Sequence, residues 1–353
     1  MLKLGSRNGS RKWAVAILLS IFVQIVTTTS AHSGFIEGKL GVKPPKVTEL
    51  RIYFIDLSES LDPSLLNTGI VEMVNRIGEV YDKVTSPEKS PAAYHIKWVP
   101  IRGSDMAVPQ ESLFTESTDQ AIWDLVADSD LGPANQRKML AKIRNSNGLW
   151  SVIIKQKLTG RACFMQAAKT LGAPGVNNRV LGKVSTGICL IARKSLAKVV
   201  KLKKTVQIYG KNGTYKATNS DILGAYDKTT KATDALNSQN TYNKIRYLFI
   251  SDMIQNTSKY DLKNIEQFSE EQACELAKSN SEDFTKLSSN VSVNIYAIGE
   301  LNENNSKNVD KSNSKKAQKS EAIRKPLESY WKCFFKQVNS GSLKFAPAEE
   351  FRG

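Results

Sequence analysis

The chain has 353 residues, with 50 Lys and Arg residues against 34 Asp and Glu residues and a formal net charge of +16. A chain of this length can bury one large hydrophobic core and a second, smaller one. Its only His residues are His32 and His95, and it has no Gly-x-Ser-x-Gly, phosphate-loop or dinucleotide-binding motif, which argues against the hydrolase and nucleotide-dependent enzyme classes that use them.

Residues 1–31 have the features of a secretory signal peptide. Basic residues between Lys3 and Lys12 precede an apolar run from Trp13 to Val26, and small residues lead up to Ala31. This order predicts cleavage after Ala31 and export to the periplasm or the extracellular space, with an uncleaved membrane anchor as the alternative. No later apolar run is long enough to cross a bilayer.

The four cysteines are expected to form disulfides, because an exported protein meets an oxidising compartment. Four cysteines allow three pairings, and we favour the one that is local in sequence: Cys163 with Cys189, and Cys274 with Cys333. Their wide spacing and the shortage of histidine argue against a zinc site.

The first folded part, residues 48–130, opens with a strand, a helix and a second strand. The β-branched and aromatic run Arg51–Ile55 predicts a buried strand, apolar residues at helical spacing predict a helix over Leu61–Val84, and Tyr94–Ile101 predicts the next strand. This order is typical of a parallel α/β sheet. Residues 112–127 are interpreted as a loop followed by a short helix at 121–126.

The composition changes over residues 131–220. This stretch contains no Asp or Glu and holds 18 of the 50 Lys and Arg residues, so the whole positive excess of the chain lies here. We interpret residues 131–215 as a folded α+β insertion that could share an edge strand with the main sheet. The pattern predicts helices at Asn135–Arg144 and Cys163–Leu171 and strands at Trp150–Lys155, Gly187–Ala192 and Thr205–Tyr209.

The α/β pattern resumes over residues 216–345. Ser220 is expected to cap the first helix of this part. Further elements are predicted as strands at Arg246–Ile250 and Val291–Ile298 and helices at Phe268–Lys278 and Pro326–Val338, with a mobile loop rich in Asn, Ser and Lys at 302–320.

Two of the predicted strands end in an aspartate. Asp56 follows the first strand and opens the triplet Asp56, Ser58, Ser60, and Asp252 follows the strand that ends at Ile250. Oxygen ligands at alternate positions suit a small divalent cation such as Mg²⁺. The alternative is that Asp56 only turns the chain and Ser60 only caps the next helix. If the two strands are neighbours, both carboxylates and the Ser220 hydroxyl converge beyond the carboxyl ends of the sheet.

These motifs resemble those of the von Willebrand factor A (vWA, integrin I-like) family and its metal-ion-dependent adhesion site (MIDAS). Asp56, Ser58 and Ser60 match the Asp-x-Ser-x-Ser motif, Asp252 matches the aspartate after the central strand, and Ser220 in SDILGA matches the motif that usually begins with Thr. The resemblance covers about 48–115 and 215–340, as judged from the order of the motifs along the chain. It implies a Rossmann-like, doubly wound, mostly parallel sheet flanked by helices.

The match has two departures and one ambiguity. Ser220 stands where the family usually has Thr, and Met253 follows Asp252 where Gly is frequent. Thr230, with Ala235 five residues later, and Thr218 are rival positions for the second motif. We prefer Ser220 because it begins a helix, whereas Thr230 would lie within one.

The resemblance implies a Mg²⁺ or Mn²⁺ site made of Asp56, Ser58, Ser60, Ser220 and Asp252. One coordination position would stay open for an acidic side chain of a protein partner. This is a binding device for adhesion or assembly and needs no catalytic base. We therefore expect no enzyme, and keep a metal-dependent hydrolase as an alternative.

The basic insertion offers a second binding hypothesis, in which it contacts a polyanion and the metal site is vestigial. The densest cluster comprises Arg193, Lys194, Lys198, Lys201, Lys203 and Lys204. An anionic polymer, lipid headgroups or an acidic protein could bind it. Export makes chromosomal DNA an unexpected partner. A solvated basic surface without a ligand is the remaining explanation.

Overall fold

The computed structural model describes the sheet and most of the helices. The described residues are 47–58, 61, 63–85, 93–102, 111–114, 118, 121–122, 124–125, 134, 138–139, 141–143, 148–172, 178–211, 220–237, 242–287, 290–299, 313–338, 341–347 and 350. The predicted signal peptide lies outside them.

A six-stranded, mostly parallel sheet forms the centre of the fold. The order is β3-β2-β1-β4-β5-β6, and every neighbouring pair is parallel except β2 with β3. The strands are β1 Val47–Asp56, β2 Ala93–Ile101, β3 Glu111–Phe114, β4 Lys244–Ile250, β5 Val291–Tyr296 and β6 Ser342–Ala346. The four predicted strands of the α/β part are thereby confirmed.

Helices flank both faces of this sheet. They are α1 Pro63–Thr85, α2 Leu149–Lys155, α3 Gly160–Leu171, α4 Asn178–Lys211, α5 Ile222–Asn237, α6 Glu270–Ser281 and α7 Asn313–Gln337, with a 3₁₀ turn at Ile265–Gln267. The fold is thus mixed α/β and consistent with a Rossmann-like arrangement, as predicted.

Strand β1 is buried on both faces, which explains its continuous apolar run. Tyr53 and Ile55 belong to the core under α1 to α4, whereas Ile52 and Phe54 belong to the core under α5, α6 and α7. Phe54 stacks on Phe249 of the neighbouring strand, with ring centroids 4.3 Å apart. The alternation of faces fixes the register, because a one-residue slip would exchange the two cores.

The prediction of strands within the basic stretch is wrong. Trp150–Lys155 lies in α2, and both 187–192 and 205–209 lie in α4, so the described part of the stretch is helical and not α+β. Short windows rich in Ile and Val resemble strands, but buried residues recur every four positions at Val184, Ile188 and Ala192, which is a helical period. The helix predicted at Cys163–Leu171 is confirmed, and 138–139 and 141–143 are helical within the other predicted helix.

The helices of the basic stretch share a core with the sheet. Trp150 of α2 stacks on Tyr81 of α1 at a centroid distance of 4.7 Å, and both belong to the core that contains Tyr53. Asp82 of α1 caps α2: its carboxylate accepts hydrogen bonds from the backbone N–H of Trp150 at 3.0 Å and of Ser151 at 3.1 Å, and from the Ser151 hydroxyl. The stretch is therefore anchored to α1 by both apolar and polar contacts.

The two edge strands were not predicted. Strand β3 lies where a loop was expected, and β6 follows the helix that was expected to be the last element. Both are short, and β6 is only partly buried, so their apolar signal is weak. The loop prediction at 302–320 is wrong for 313–320, where α7 begins, and 302–312 lie outside the described residues.

Both predicted disulfides are present. Cys163 of α3 is bonded to Cys189 of α4, and Cys274 of α6 is bonded to Cys333 of α7. Two disulfides indicate an oxidising environment outside the cytoplasm, as export predicts. Among the described residues, no helix has an apolar segment long enough to span a bilayer.

Replacing Asp82 tests the anchoring of the basic stretch. Asp82→Ala leaves two N–H groups at the start of α2 without their acceptor, and we expect the free energy of unfolding in urea to fall by about 1–3 kcal/mol. The matched control is Asp234→Ala on α5, where no described residue donates a hydrogen bond to the carboxylate; it should change stability by less than about 0.5 kcal/mol. Equal effects of the two changes would contradict the capping role.

Candidate metal centre

The candidate site lies where the strand order reverses. Strands β1 and β4 are parallel neighbours, and the chain winds outward from them in opposite directions, through β2 on one side and β5 on the other. In open α/β sheets, ligands bind in the crevice beyond the carboxyl ends of the strands at this position. Asp56 is the last residue of β1, and Ser251 and Asp252 directly follow β4.

The Asp56 carboxylate is fully buried and accepts hydrogen bonds from three segments of the chain. The backbone N–H of Ser58 donates to Oδ1 at 2.9 Å, and the Ser220 hydroxyl donates to the carboxylate at 3.2 Å from Oδ1. The Ser251 hydroxyl donates to Oδ2 at 2.6 Å. Burial raises the pKa of Asp56, and the hydrogen bonds from Ser251, Ser58 and Ser220 oppose that rise.

Ser220 does not cap α5, contrary to the prediction. The cap is Asp221, whose Oδ1 accepts a hydrogen bond from the Gly224 N–H at 2.9 Å at the third helical position. Because Asp221 fills this role, the Ser220 hydroxyl is available to Asp56. The backbone carbonyl of Arg102, just after β2, accepts from the Asp221 N–H at 2.8 Å and fixes the start of the helix against the sheet.

Gln255 is a second residue that positions the start of this helix, and no sequence motif predicts this role. Its Oε1 accepts from the Leu223 N–H at 3.0 Å, and its Nε2 donates to Asp221 Oδ1 at 3.3 Å. The Ser220 carbonyl in turn accepts from the Asn256 N–H at 2.9 Å. The loop after β4 and the start of α5 are therefore tied together beside the site.

The turn after β4 has an unusual backbone conformation. Asp252 is fully buried, and its Oδ1 accepts from the Ile254 N–H at 3.0 Å. Met253 has a φ of 64°, in the left-handed region that favours glycine. The Trp331 indole N–H donates to the Met253 carbonyl at 3.0 Å, and the Met253 N–H donates to Ser251 Oγ at 2.9 Å. These contacts hold Met253 in a conformation that glycine adopts with less strain.

The structure brings together part of the predicted ligand set. Asp56, Ser58 and Ser220 are in contact, and Asp252 is buried directly after Ser251. Thr230 lies within α5, and its hydroxyl is 3.4 Å from the hydroxyl of Tyr247. Ser60 and Thr218 lie outside the described residues. Ser251 was not predicted as part of the site, although it lies between the predicted strand and Asp252.

The residues at this site fit a hard divalent cation. The side-chain atoms that could act as metal ligands here are carboxylate and hydroxyl oxygens, which Mg²⁺ and Mn²⁺ prefer. Within the described part of the chain, Asp56 forms no ion pair, so a cation would offset the cost of burying its charge. The described residues contain no group of three or more His, Cys, Asp or Glu side chains that could hold a metal. A cation here would therefore need serine oxygens as ligands in addition to the carboxylates.

The polyanion candidates all lie on α4. Arg193, Lys194, Lys201 and Lys204 are exposed and Lys198 is partly buried, whereas the side chain of Lys203 lies outside the described residues.

Comparisons of the chain with protein-family models and with curated proteins found no match.

Ser251→Ala tests the coupling between β4 and Asp56. The change removes a hydrogen bond to a buried carboxylate, so the free energy of unfolding, measured with a chelator present, should fall by about 1.5–3 kcal/mol. Ser185→Ala is the matched control, because the Ser185 hydroxyl is buried with no hydrogen-bond partner among the described residues. That control should be neutral or slightly stabilising. A neutral Ser251→Ala would show that the bond contributes nothing.

Proposed function

We propose that the chain is a vWA-type domain whose switch-point site binds Mg²⁺ or Mn²⁺ and, through the cation, an acidic side chain of a protein partner. One observation carries the proposal: hydroxyl groups from two segments distant in sequence converge on the buried Asp56 carboxylate. Ser220 and Ser251 lie 164 and 195 residues after Asp56, yet both hydroxyls donate to its carboxylate. Ordinary turn formation at Asp56 requires no such convergence.

The order of the strands supports the same proposal. The sequence 3-2-1-4-5-6 is that of a doubly wound sheet, with its ligand crevice between the first and fourth strands. The described members of the motifs that resemble the adhesion site, Asp56, Ser58, Ser220 and Asp252, support the proposal, because each ends β1, follows β4 or contacts Asp56 at this crevice. Met253 stands where the resembled family frequently has glycine. This difference is compatible with the proposal, because the Met253 backbone adopts a conformation that glycine readily adopts.

Asp56, Ser58, Ser220 and Asp252, together with Ser60, would hold the cation, and Ser251 would orient Asp56 from behind. Two carboxylates cancel the formal charge of a divalent cation, but the neutral hydroxyl ligands leave it a strong enough Lewis acid to bind a further carboxylate at an open coordination position. The role proposed for the site is binding, because the adhesion site that these residues resemble holds a partner's carboxylate on the cation and needs no catalytic base. Outside the cytoplasm, in the periplasm or the extracellular space, such a module would serve adhesion or assembly.

Cation binding by Asp56 is the first test. The full chain should bind one Mn²⁺, measured from the loss of the free Mn²⁺ signal in electron paramagnetic resonance, and Mg²⁺ should compete. Asp56→Asn should weaken the affinity by at least about 100-fold, since it removes the charged ligand. In chelator the same variant should be as stable as the parent chain or more so, because burial penalises the charge of Asp56.

Asp82→Asn is the control for this test, because it neutralises a partly buried carboxylate away from the switch point. It should leave Mn²⁺ binding unchanged. At free Mg²⁺ about 100 times the dissociation constant, the free energy of unfolding of the parent chain should rise by about 2.7 kcal/mol. A chain that binds no Mn²⁺, or an Asp56→Asn variant that binds it as tightly as the parent, would overturn the proposed site.

The acidic partner is tested with a carboxylate probe. Mn²⁺ bound with one open position relaxes solvent water protons, and a carboxylate that takes this position reduces the effect. We expect a peptide with one glutamate to lower the water-proton relaxation rate of the Mn²⁺-loaded protein. The same peptide with glutamine is the control and should have no effect. Equal responses to the two peptides would contradict recognition through the metal.

A further inference from the structure

The long helix α4 presents a row of cationic side chains on its exposed side, which we call the basic stripe. Its charged members are Arg179, Lys183, Arg193, Lys194, Lys201 and Lys204, all exposed. At 100° per residue they fall within about 120° of the helix circumference, over a length of about 37 Å. No Asp or Glu occurs between 131 and 220, so the helix itself offers no acid to neutralise them.

The opposite side of α4 is fixed in the core. Val184, Ile188 and Leu196 are buried there, and the Tyr81 hydroxyl of α1 is hydrogen-bonded to the Ser195 hydroxyl. The disulfide from Cys163 to Cys189 joins α3 to the middle of the helix. The basic stripe is therefore carried on a rigid element, and binding would cost little conformational entropy in the backbone.

Two aliphatic side chains interrupt the basic stripe. Leu190 is 53% exposed and Val200 is 50% exposed, both between or beside the cations. Of the five large hydrophobic side chains that are exposed in the described part of the chain, three lie on α3 and α4: Met165, Leu190 and Val200. Exposed aliphatic groups among lysines are what an interfacial surface uses to enter the boundary between lipid headgroups and acyl chains. A purely ionic polymer such as polyphosphate offers nothing apolar to cover them.

We propose that the basic stripe docks this protein on an anionic lipid bilayer. The cations would attract the acidic headgroups, and Leu190 and Val200 would contact the acyl boundary, while the long lysine stems lie along the interface. Near the upstream end of the basic stripe, Asp124 lines a hollow together with Lys183 and Leu190 and supplies a negative charge there. The centre of the docking surface is accordingly Arg193 to Lys204. This role is independent of the proposed cation site.

The test is sedimentation of the full chain with large vesicles. Phosphatidylcholine vesicles with about 30% phosphatidylglycerol should bind the protein, and pure phosphatidylcholine vesicles should not. Affinity should fall steeply between about 0.05 and 0.5 M NaCl, because exposed charges are screened. Chelator and Asp56→Asn should leave vesicle binding unchanged, which separates this proposal from the cation site. Absence of binding to the acidic vesicles at low salt would overturn the proposal.

The charge variant is Arg193→Gln, Lys194→Gln and Lys204→Gln combined. Each cation near an acidic surface contributes roughly a fivefold gain in affinity, so the loss should be about 100-fold. The matched control makes the same change at Lys228, Lys286 and Lys336, which are exposed and lie on or beside the helices of the other face. It should lose less than about threefold, by the weaker long-range attraction alone. Equal losses would mean that net charge, and not the stripe, determines binding.

The apolar variant, Leu190→Ser with Val200→Ser, distinguishes a bilayer from a soluble polymer. It keeps every charge, and we expect vesicle affinity to fall about tenfold because two aliphatic contacts are lost. Binding to polyphosphate, measured by fluorescence anisotropy, should not change. The bilayer proposal fails if two results are found together. The variant would bind vesicles with the affinity of the parent chain, and the parent chain would bind polyphosphate more tightly than it binds vesicles; the ligand would then be a soluble polyanion.

Discussion

Burial of the Asp56 carboxylate is the constraint on which the centre of this structure depends. A charge that has lost its water must be compensated, and here hydroxyl and amide donors from β1, the start of α5 and the end of β4 provide the compensation. Each donor must be held in place by its own segment. The positions of the helix start and of the turn after β4 follow from this requirement, and together they close the crevice around the carboxylate.

Residues beside the site make the other hydrogen bonds of this region, so that the serine hydroxyls remain available to donate to Asp56. At the start of α5, Asp221 accepts a hydrogen bond from the Gly224 N–H, which leaves the Ser220 hydroxyl for Asp56. Gln255 accepts one from the Leu223 N–H of the same helix. On the other side, the indole of Trp331 holds the left-handed turn at Met253 through its carbonyl. Ser220 and Asp221 are residue types common in turns, but each of them, like Gln255, has a separate role that is determined by its hydrogen-bond partner. This division also explains how the chain keeps a methionine where the turn favours glycine.

Features that depend on residues close together in the chain could be predicted from the sequence, whereas contacts between distant residues could not. The buried strands and α1 were predictable because apolar periodicity is local, and both disulfides followed from export and proximity in sequence. The strands predicted at 187–192 and 205–209 failed because windows of five or six residues cannot distinguish a β-branched strand from one side of a long helix. Ser251 and Gln255 were missed because their partners lie far away in the chain, and only the folded sheet brings them together.

Burial also determines how the two charged surfaces of the molecule respond to their surroundings. Asp56 and Asp252 have no exposed surface, so dissolved salt screens them little, and their charge is best balanced by an ion that enters the crevice. The cations of α4 are exposed at the surface, where each attraction is weak and screened, so they act only when many meet a surface of opposite charge. The apolar side of α4 and the apolar side of α1 lie in one core, so the extended cationic surface requires no separate domain. Under the two proposals, a single α/β core would therefore support a buried contact that depends on a cation and an exposed contact that depends on salt.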